Sequence, residues 1–271
     1  MDKPYQATAD IVVLPTHLPI PNMGLLPINS FVIKAKEPVL VDTGIGMESE
    51  NFIKALESVI NPRELRWVWL THDDLDHTGS LQEVLRVAPK ARLATNPLMA
   101  LRLNSAWPVP MDRVYFLNPG DSISVGDRKL TAVRPPVFDN PGSTGIYDDK
   151  TGTFFSVDSF GAIMPSAAQD AADFPEGDLA QGMTIWATAD SPWIHLVDQK
   201  RFAQALDNVR KMAPKLILSA HLPPARRKTE QLLKVLAAVP AAKPFMGPSQ
   251  ADLERLLSQM KQGSPAEAGG S

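Results

Sequence analysis

The sequence of 271 residues contains no cysteine, which excludes disulfide bonds, cysteine-ligated zinc, iron–sulfur clusters and thiol catalysis together. It also lacks an apolar run near the roughly 18 residues that a membrane span requires, and its polar first ten residues lack the core of a secretory signal. Positive charge is not in excess, with 27 Lys and Arg against 30 Asp and Glu. Because nucleic acids and anionic membranes select a basic face, we expect neither as a partner. The lack of a membrane span and of a secretory signal leads us to expect a cytoplasmic protein.

Hydrophobic residues make up 44% of the chain, which is enough for a full core. Short β-rich runs alternate with segments of helical periodicity, and no linker-like segment divides them. This pattern predicts one α/β domain of two layered sheets over residues 1–262, followed by a disordered tail at 263–271. Residues 162–182, rich in Ala, Asp and Gln, are predicted to form a long loop or lid, and residues 15–19 a proline-rich loop.

Side chains able to bind metals are concentrated where predicted strands end. The densest group, His72, Asp74, Asp76 and His77, directly follows the apolar run 66–70. An extended loop turns His72 and Asp74 to one side, and the adjacent pair Asp76 and His77 splays to another, which suits two metal ions a few ångströms apart. The alternative is a helix-entry loop whose acids only favour the helix dipole.

This pattern resembles the metallo-β-lactamase-fold superfamily, whose signature His-x-His-x-Asp-His follows a strand and an earlier Asp-bearing strand end such as residues 41–44. Asp74 occupies the position at which hydrolases of the superfamily have the second His. A carboxylate at this position is typical of the flavodiiron and oxygen-binding diiron branch of the superfamily. Residues 153–161 and 218–223 are similar to the segments that supply a bridging Asp and the last His in that branch. The resemblance implies an αββα sandwich of two mixed β-sheets flanked by helices, without the flavodoxin domain of full flavodiiron enzymes.

The resemblance also implies a set of metal ligands. The middle ligand is His in hydrolases, but the corresponding run 134–143 has none. Aligning residues 141–143 with the family turn puts Asp139 in that position, where it binds metal directly, binds through water or only caps a turn. The implied set is His72, Asp74 and Asp139 for one ion, Asp76, His77 and His221 for the other, and Asp158 as the bridge.

The balance of donor types predicts the metal. Four carboxylates offset the four positive charges of two divalent ions, which makes burial of the pair feasible. Three imidazoles with four carboxylates form an oxygen-rich set, so we expect iron first, manganese second and zinc third. No flavin motif is present, and we expect no flavin to be bound by this chain.

Three functions remain open at this point. The first is a di-iron protein that binds or reduces a diatomic such as O2 or NO, with a separate electron-donor protein for reductase activity. The second is a dinuclear hydrolase of an ester, lactone or phosphodiester, for which residues 162–182 would be a lid and Trp186 and Trp193 an apolar wall. The third is a non-catalytic relative with a one-metal or empty site. A homo-oligomer is compatible with each of them.

Other polar residues are weaker candidates. His195 is the candidate catalytic residue, as a proton donor in the pocket, with a half-buried structural His as the alternative. His17 is expected to be structural, exposed or at the mouth of the site. Asp42 is expected to hold the loop 71–77 in place, and Asp73 and Asp190 are expected to be solvated.

Overall fold

The structure is a computed structural model that describes residues 1–263, with side chains as far as residue 258. Two mixed β-sheets pack face to face with helices on both outer faces, so the predicted αββα sandwich is confirmed. The tail predicted at 263–271 lies, apart from Gly263, outside the described residues. Within residues 1–263, no helix has both the length and the apolar character to cross a membrane.

The first sheet contains seven strands in the order of the chain: β1 (Tyr5–Gln6), β2 (Ile11–Ile20), β3 (Gly24–Ile33), β4 (Val39–Val41), β5 (Trp67–Trp69), β6 (Arg92–Thr95) and β7 (Val114–Phe116). The strands β1 to β4 are antiparallel neighbours, whereas β4 to β7 run parallel. The parallel strands all end at one edge of the sheet, and this edge carries the loops that follow β4 and β5.

The second sheet contains six strands: β8 (Ser122–Ser124), β9 (Lys129–Val133), β10 (Gly145–Asp148), β11 (Thr153–Phe155), β12 (Leu216–Leu218) and β13 (Ala225–Arg226). Their order is β13-β12-β11-β10-β9-β8, and only β11 and β12 are parallel in this sheet. The parallel pair brings the segments after β11 and β12 to a common edge.

The helices are α1 (Ser49–Val59), α2 (Leu75–Thr78), α3 (Leu81–Val87), α4 (Pro97–Ala106), α5 (Glu176–Asp190), α6 (Gln199–Met212), α7 (Thr229–Ala238) and α8 (Gln250–Gly263). Three apolar layers hold the sandwich together. One lies between α1, α3, α4 and the first sheet, one between the two sheets, and one between the second sheet and α5, α6 and α7. Burial of these layers supplies the main stabilisation of the fold.

A buried ion-pair cluster joins the two sheets at Arg128. Its guanidinium lies 3.0 Å from Asp148, whose side chain is fully buried, and 3.1 Å from Asp127. A third contact is with Asp10, in the connection between β1 and β2. Because each partner comes from a different turn or strand, the cluster fixes the relative position of these connections.

Two expectations from the sequence are wrong. Residues 15–19 are part of β2 and not a loop, and β2 and β3 form a ten-residue hairpin. The carbonyl of Pro15 accepts from the Asp2 amide on the side of β2 that faces away from β3. The N–H and the carbonyl of a strand residue point to the same side, so the N–H that Pro15 lacks is not needed for pairing with β3. Residues 162–182 are not a continuous loop, since α5 begins at Glu176, and Met164 is tied to β3 by a pair of backbone hydrogen bonds with Leu25.

Candidate metal centre

The candidate site lies where parallel strands of both sheets end. Asp42 follows β4, residues 71–77 follow β5, Val157 and Asp158 follow β11, and His221 follows β12. Asp42 and Val157 have φ angles of 57° and 58°, a left-handed backbone that is unfavourable for a β-branched residue such as Val157. Such backbone conformations persist where the surrounding structure holds them, and they are concentrated at functional sites.

The structure brings all seven predicted ligands to this edge. Three overlapping groups have donor atoms that all lie within 4.8 Å of one another: His72 with Asp74 and Asp139, Asp76 with His77 and His221, and His72 with His77 and Asp158. These side chains come from four separate segments of the chain, so the cluster exists only in the folded protein.

Asp158 lies between the first two groups. Its Oδ2 is 3.5 Å from His72 Nε2, and its Oδ1 is 3.2 Å from His77 Nε2 and 3.1 Å from His221 Nε2. Its side chain is only 3% exposed. A single buried carboxylate therefore faces three imidazole nitrogens, an arrangement suited to a bridging ligand.

The other ring nitrogens of the histidines are held by protein groups. His77 Nδ1 lies 2.9 Å from Asp42 Oδ2, and His221 Nδ1 donates to the carbonyl of Pro27 at 2.8 Å. Asp42 also accepts from the backbone N–H and the hydroxyl of Thr71, at 2.9 and 2.8 Å, and so holds the loop 71–77 as expected. With Nδ1 engaged, Nε2 of His77 and Nε2 of His221 point into the cluster, where each can bind a metal once it has lost its proton.

The acids of the cluster influence one another's protonation. Burial alone would raise the pKa of Asp158, but the nearby His72 and His77 hold that pKa well below its usual value. Burial, the charge of Asp158 and a hydrogen bond with Asp74 raise the pKa of Asp139 to about 9. Burial opposes ionisation of Asp74 as well, but the hydrogen bond from Asp139 lowers its pKa. These opposite shifts favour Asp139 as the protonated partner of the pair and Asp74 as the ionised one.

Three buried atoms of the cluster have no hydrogen-bond partner among the described residues: His77 Nε2 and both carboxylate oxygens of Asp158. A buried polar atom without a partner costs about 1–3 kcal/mol. A cation satisfies a nitrogen lone pair and carboxylate oxygens at once, and three imidazoles with four carboxylates match two divalent ions in charge and in donor type. The residues present therefore fit a dinuclear metal site.

Two of the weaker candidates lie elsewhere. His195 is in the helical turn Pro192–Leu196, and its described polar contact is with the Pro240 carbonyl at 3.3 Å, not with any of the seven residues. The structure does not bring it into the cluster, and its catalytic role stays a prediction. His17 lies on β2 and pairs with Asp2 at 2.6 Å, which supports a structural role.

Two acids that were expected to be solvated are not. Asp73 is 9% exposed in its side chain and pairs with Arg102 Nε at 2.7 Å. Asp190, at the end of α5, is half-buried, and burial together with the charge of Asp158 raises its pKa to about 7. The sequence does not indicate that Asp190 lies beside the cluster, because Asp190 is more than 30 residues from the other acids of the cluster.

Sequence reasoning also missed how two neighbours support the cluster. Asn140 donates from Nδ2 to Asp73 and Asp74, across 67 and 66 residues of chain. The Trp186 ring lies 4.5 Å from the His221 ring, and its indole N–H donates to the Asp158 carbonyl at 3.2 Å. Asn140 resembles an ordinary turn residue in the sequence, and only the folded loop shows what it contacts.

Two mixed β-sheets flanked by helices, with this cluster at their common edge, define a protein of the metallo-β-lactamase fold in the form found in flavodiiron cores. Residues 26–221, more than half of the chain, match the family described as ODP family beta lactamase. The chain belongs to this family.

The fold is similar to solved flavodiiron structures. The flavodiiron protein from Giardia intestinalis superposes with a TM-score of 0.76 and 16% identity, over 88% of this chain and 59% of that one. Rubredoxin oxygen:oxidoreductase from Desulfovibrio gigas gives 0.77 and 17%, over 96% and 69%. The anaerobic nitric oxide reductase flavorubredoxin of Salmonella typhi is 28% identical over 134 residues, 49% of this chain and 28% of that protein. The chain spans less than half of the length of such curated relatives.

Proposed function

We propose that this protein holds a dinuclear metal centre, with iron as the expected metal, and that it binds or reduces a diatomic such as O2 or NO. The observation that carries the proposal is the environment of Asp158. Its two buried oxygens face the Nε2 atoms of three histidines and have no hydrogen-bond partner among the described residues. A buried carboxylate between two sets of donors supports a pair of ions better than a single one.

The assignment follows the two groups on either side of Asp158. His72, Asp74 and Asp139 would hold one ion, Asp76, His77 and His221 would hold the other, and Asp158 would contact both. Asp42 and the Pro27 carbonyl would keep the rings of His77 and His221 turned toward the ions, because each holds the opposite ring nitrogen.

The donor set supports iron over zinc. Carboxylate oxygens are hard donors that suit iron and manganese, and Asp74 and Asp139 stand where hydrolases of this fold have His. We therefore expect iron, then manganese, then zinc. Bound iron would supply the electrons and the coordination position that a diatomic needs, and the protein would supply the position and charge of the ligands.

Aromatic side chains restrict the space beside the centre. Trp186 covers the His221 ring, and Trp193 packs on Phe138 at 5.3 Å and donates to its carbonyl at 2.8 Å. Phe138 directly precedes Asp139, so this packing fixes the segment that carries a proposed ligand. Apolar walls of this kind exclude water from buried charges and favour a small ligand.

The names of the relatives support the choice of diatomic and suggest a partner. One is named a nitric oxide reductase and another an oxygen:oxidoreductase. For reductase activity we propose a separate electron-donor protein, and we expect no flavin bound by this chain. We also propose that the protein forms a homo-oligomer and is located in the cytoplasm.

Elemental analysis of protein purified without added metal tests the proposal first. We expect two equivalents of metal, mainly iron. Anaerobic loading with Fe(II) followed by exposure to air should then produce a near-ultraviolet oxo-to-iron charge-transfer band. In the variant Asp158→Ala this band should be lost, while a matched Asp112→Ala change on the exposed surface should leave it intact.

Other outcomes would contradict the proposal. Two equivalents of zinc, no band after iron loading and turnover of generic ester or phosphodiester substrates would favour the hydrolase. One ion or none in protein loaded with excess Fe(II) would favour a degenerate site.

A further inference from the structure

Asp73 and Asp74 are adjacent in the sequence, yet their carboxylates are held in different ways. Asp73 has both oxygens engaged, with Oδ2 paired to Arg102 Nε at 2.7 Å and Oδ1 accepting from Asn140 Nδ2 at 2.8 Å. Asp74 Oδ1 accepts from the same Nδ2 at 3.1 Å, while its Oδ2 faces His72 Nε2 at 3.7 Å. One oxygen of Asp74 is thus directed into the cluster, and neither oxygen of Asp73 is.

The orientation of the Asn140 amide follows from its surroundings. The residue is 4% exposed, and its Oδ1 accepts from the backbone N–H of Gly142 at 3.0 Å. The reversed amide would place Oδ1 against two carboxylates and an NH2 group against an N–H donor, so only one orientation is favourable. Each of the two N–H donors then serves one carboxylate.

The loop that presents Asn140 is itself anchored. The guanidinium of Arg134 donates to the carbonyls of Pro141 at 2.8 Å and Ser143 at 2.7 Å. Asn140 is therefore attached to a fixed loop on one side and to the segment after β5 on the other. A buried donor held in this way restricts the carboxylates that accept from it.

We infer that Asn140 is a positioning residue for the metal centre. It holds Asp74 so that Oδ2 is the oxygen presented to an ion, and together with Arg102 it keeps Asp73 out of the ligand set. This inference rests on the proposed metal-binding function. It assigns Asn140 to the ion of the His72 group. Asn140 has no described hydrogen bond to any residue of the His221 group, so we do not assign it to the other ion.

A stepwise Mn2+ titration by calorimetry with chelator competition tests the inference, with the Mn2+ paramagnetic resonance spectrum as a second readout. Removing a hydrogen-bond partner of a ligand typically weakens metal binding about 10–100-fold. We expect Asn140→Ala to weaken one of the two binding steps by this factor and to leave the other within about twofold, with a changed spectrum for the weakened ion. Asn140→Ser, which keeps one donor, should recover part of the loss.

The matched control is Tyr147→Phe. It removes one hydrogen bond, from the Tyr147 hydroxyl to the Met212 carbonyl at 3.0 Å, away from the cluster. It should lower thermal stability and leave both binding steps unchanged. Thermal melts of the metal-free variants establish that they are folded, and Asn140→Ser carries the test if Asn140→Ala does not fold.

The outcomes separate this inference from the proposed function. Wild-type protein that binds fewer than two Mn2+ ions would overturn both. If the wild type binds two ions and Asn140→Ala binds them as tightly as Tyr147→Phe does, the role of Asn140 alone is overturned. Equal weakening of both steps would also overturn it, because a general loss of structure would then account for the effect.

Discussion

Binding of an ion at the His72 group should depend on pH through Asp139. The pKa of Asp139 is raised to about 9 by burial, by the charge of Asp158 and by the hydrogen bond with Asp74. A metal binds the carboxylate and not the protonated acid, so the proton must leave when the ion binds. The affinity of this group for an ion should therefore rise with pH up to about 9 and fall as the pH decreases.

The size of the effect follows from the same shift. A pKa of about 9 leaves about 1% of Asp139 ionised at pH 7 and half of it at pH 9, which sets a ceiling of about 50-fold between the apparent affinities at these two pH values. The Asp139 side chain is exposed, and screening by water reduces the expected difference to about tenfold. The remaining ligands also exchange protons on binding, so the contribution of Asp139 must be isolated by substitution.

Calorimetric titration with Mn2+ in buffers of different ionisation enthalpy counts the protons released. Asp139→Asn carries no proton at this position and should release about one proton fewer than the wild type at pH 7, with a shallower dependence of affinity on pH. Identical proton counts and identical pH slopes for the two proteins would refute the reasoning. Asp139 would then lie outside the ligand set, as a turn cap.

Three further outcomes are expected. Asp74→His should shift metal preference toward zinc by about tenfold in competition with Fe(II), because imidazole replaces a hard carboxylate, and unchanged selectivity would count against this reasoning. Arg128→Met should lower the free energy of unfolding by about 3 kcal/mol in urea titrations, since it leaves buried Asp148 without its counter-ion, and Arg128→Met with Asp148→Asn should recover part of the loss. The pKa of Asp190 is raised to about 7 by burial and by Asp158, so its ionised form destabilises the fold increasingly from about pH 4 to pH 7. Asp190→Asn should therefore stabilise the metal-free protein by up to about 4 kcal/mol at pH 7 and hardly at all at pH 4, and a pH-independent difference would contradict this sign.

The strands were predictable where periodicity and burial agree. The apolar run 66–70, which the sequence places directly before the metal-binding residues, contains β5. The hairpin of β2 and β3 was missed because Pro15 and Pro19 argue against a strand. Proline is tolerated in β2 where the side facing away from β3 has no paired strand. The strand β1 is short and pairs only with Val12 and Val13, so it leaves that side of β2 unpaired beyond them.

The helix α5 was missed for a related reason. Its Ala- and Gly-containing sequence has no clear polar face, and it packs closely through Gly182, where an added Cβ would lie 2.3 Å from the Ile163 carbonyl. Close packing of this kind stabilises a helix through its neighbours and leaves little periodic signal.

By itself, the sequence determined which residue types the candidate cluster contains and where most of them lie along the chain, because all but Asp139 closely follow a strand and such segments carry local patterns. Which acids converge was decided only by the tertiary structure. Asp73 and Asp74 are chemically identical neighbours, and Asn140 and Arg102 distinguish them through contacts across 66 residues in one case and 29 in the other. Burial of Asp190 and the shared proton of Asp74 and Asp139 likewise arise from distant segments that meet at one edge, where desolvation and nearby charges set the pKa of each acid.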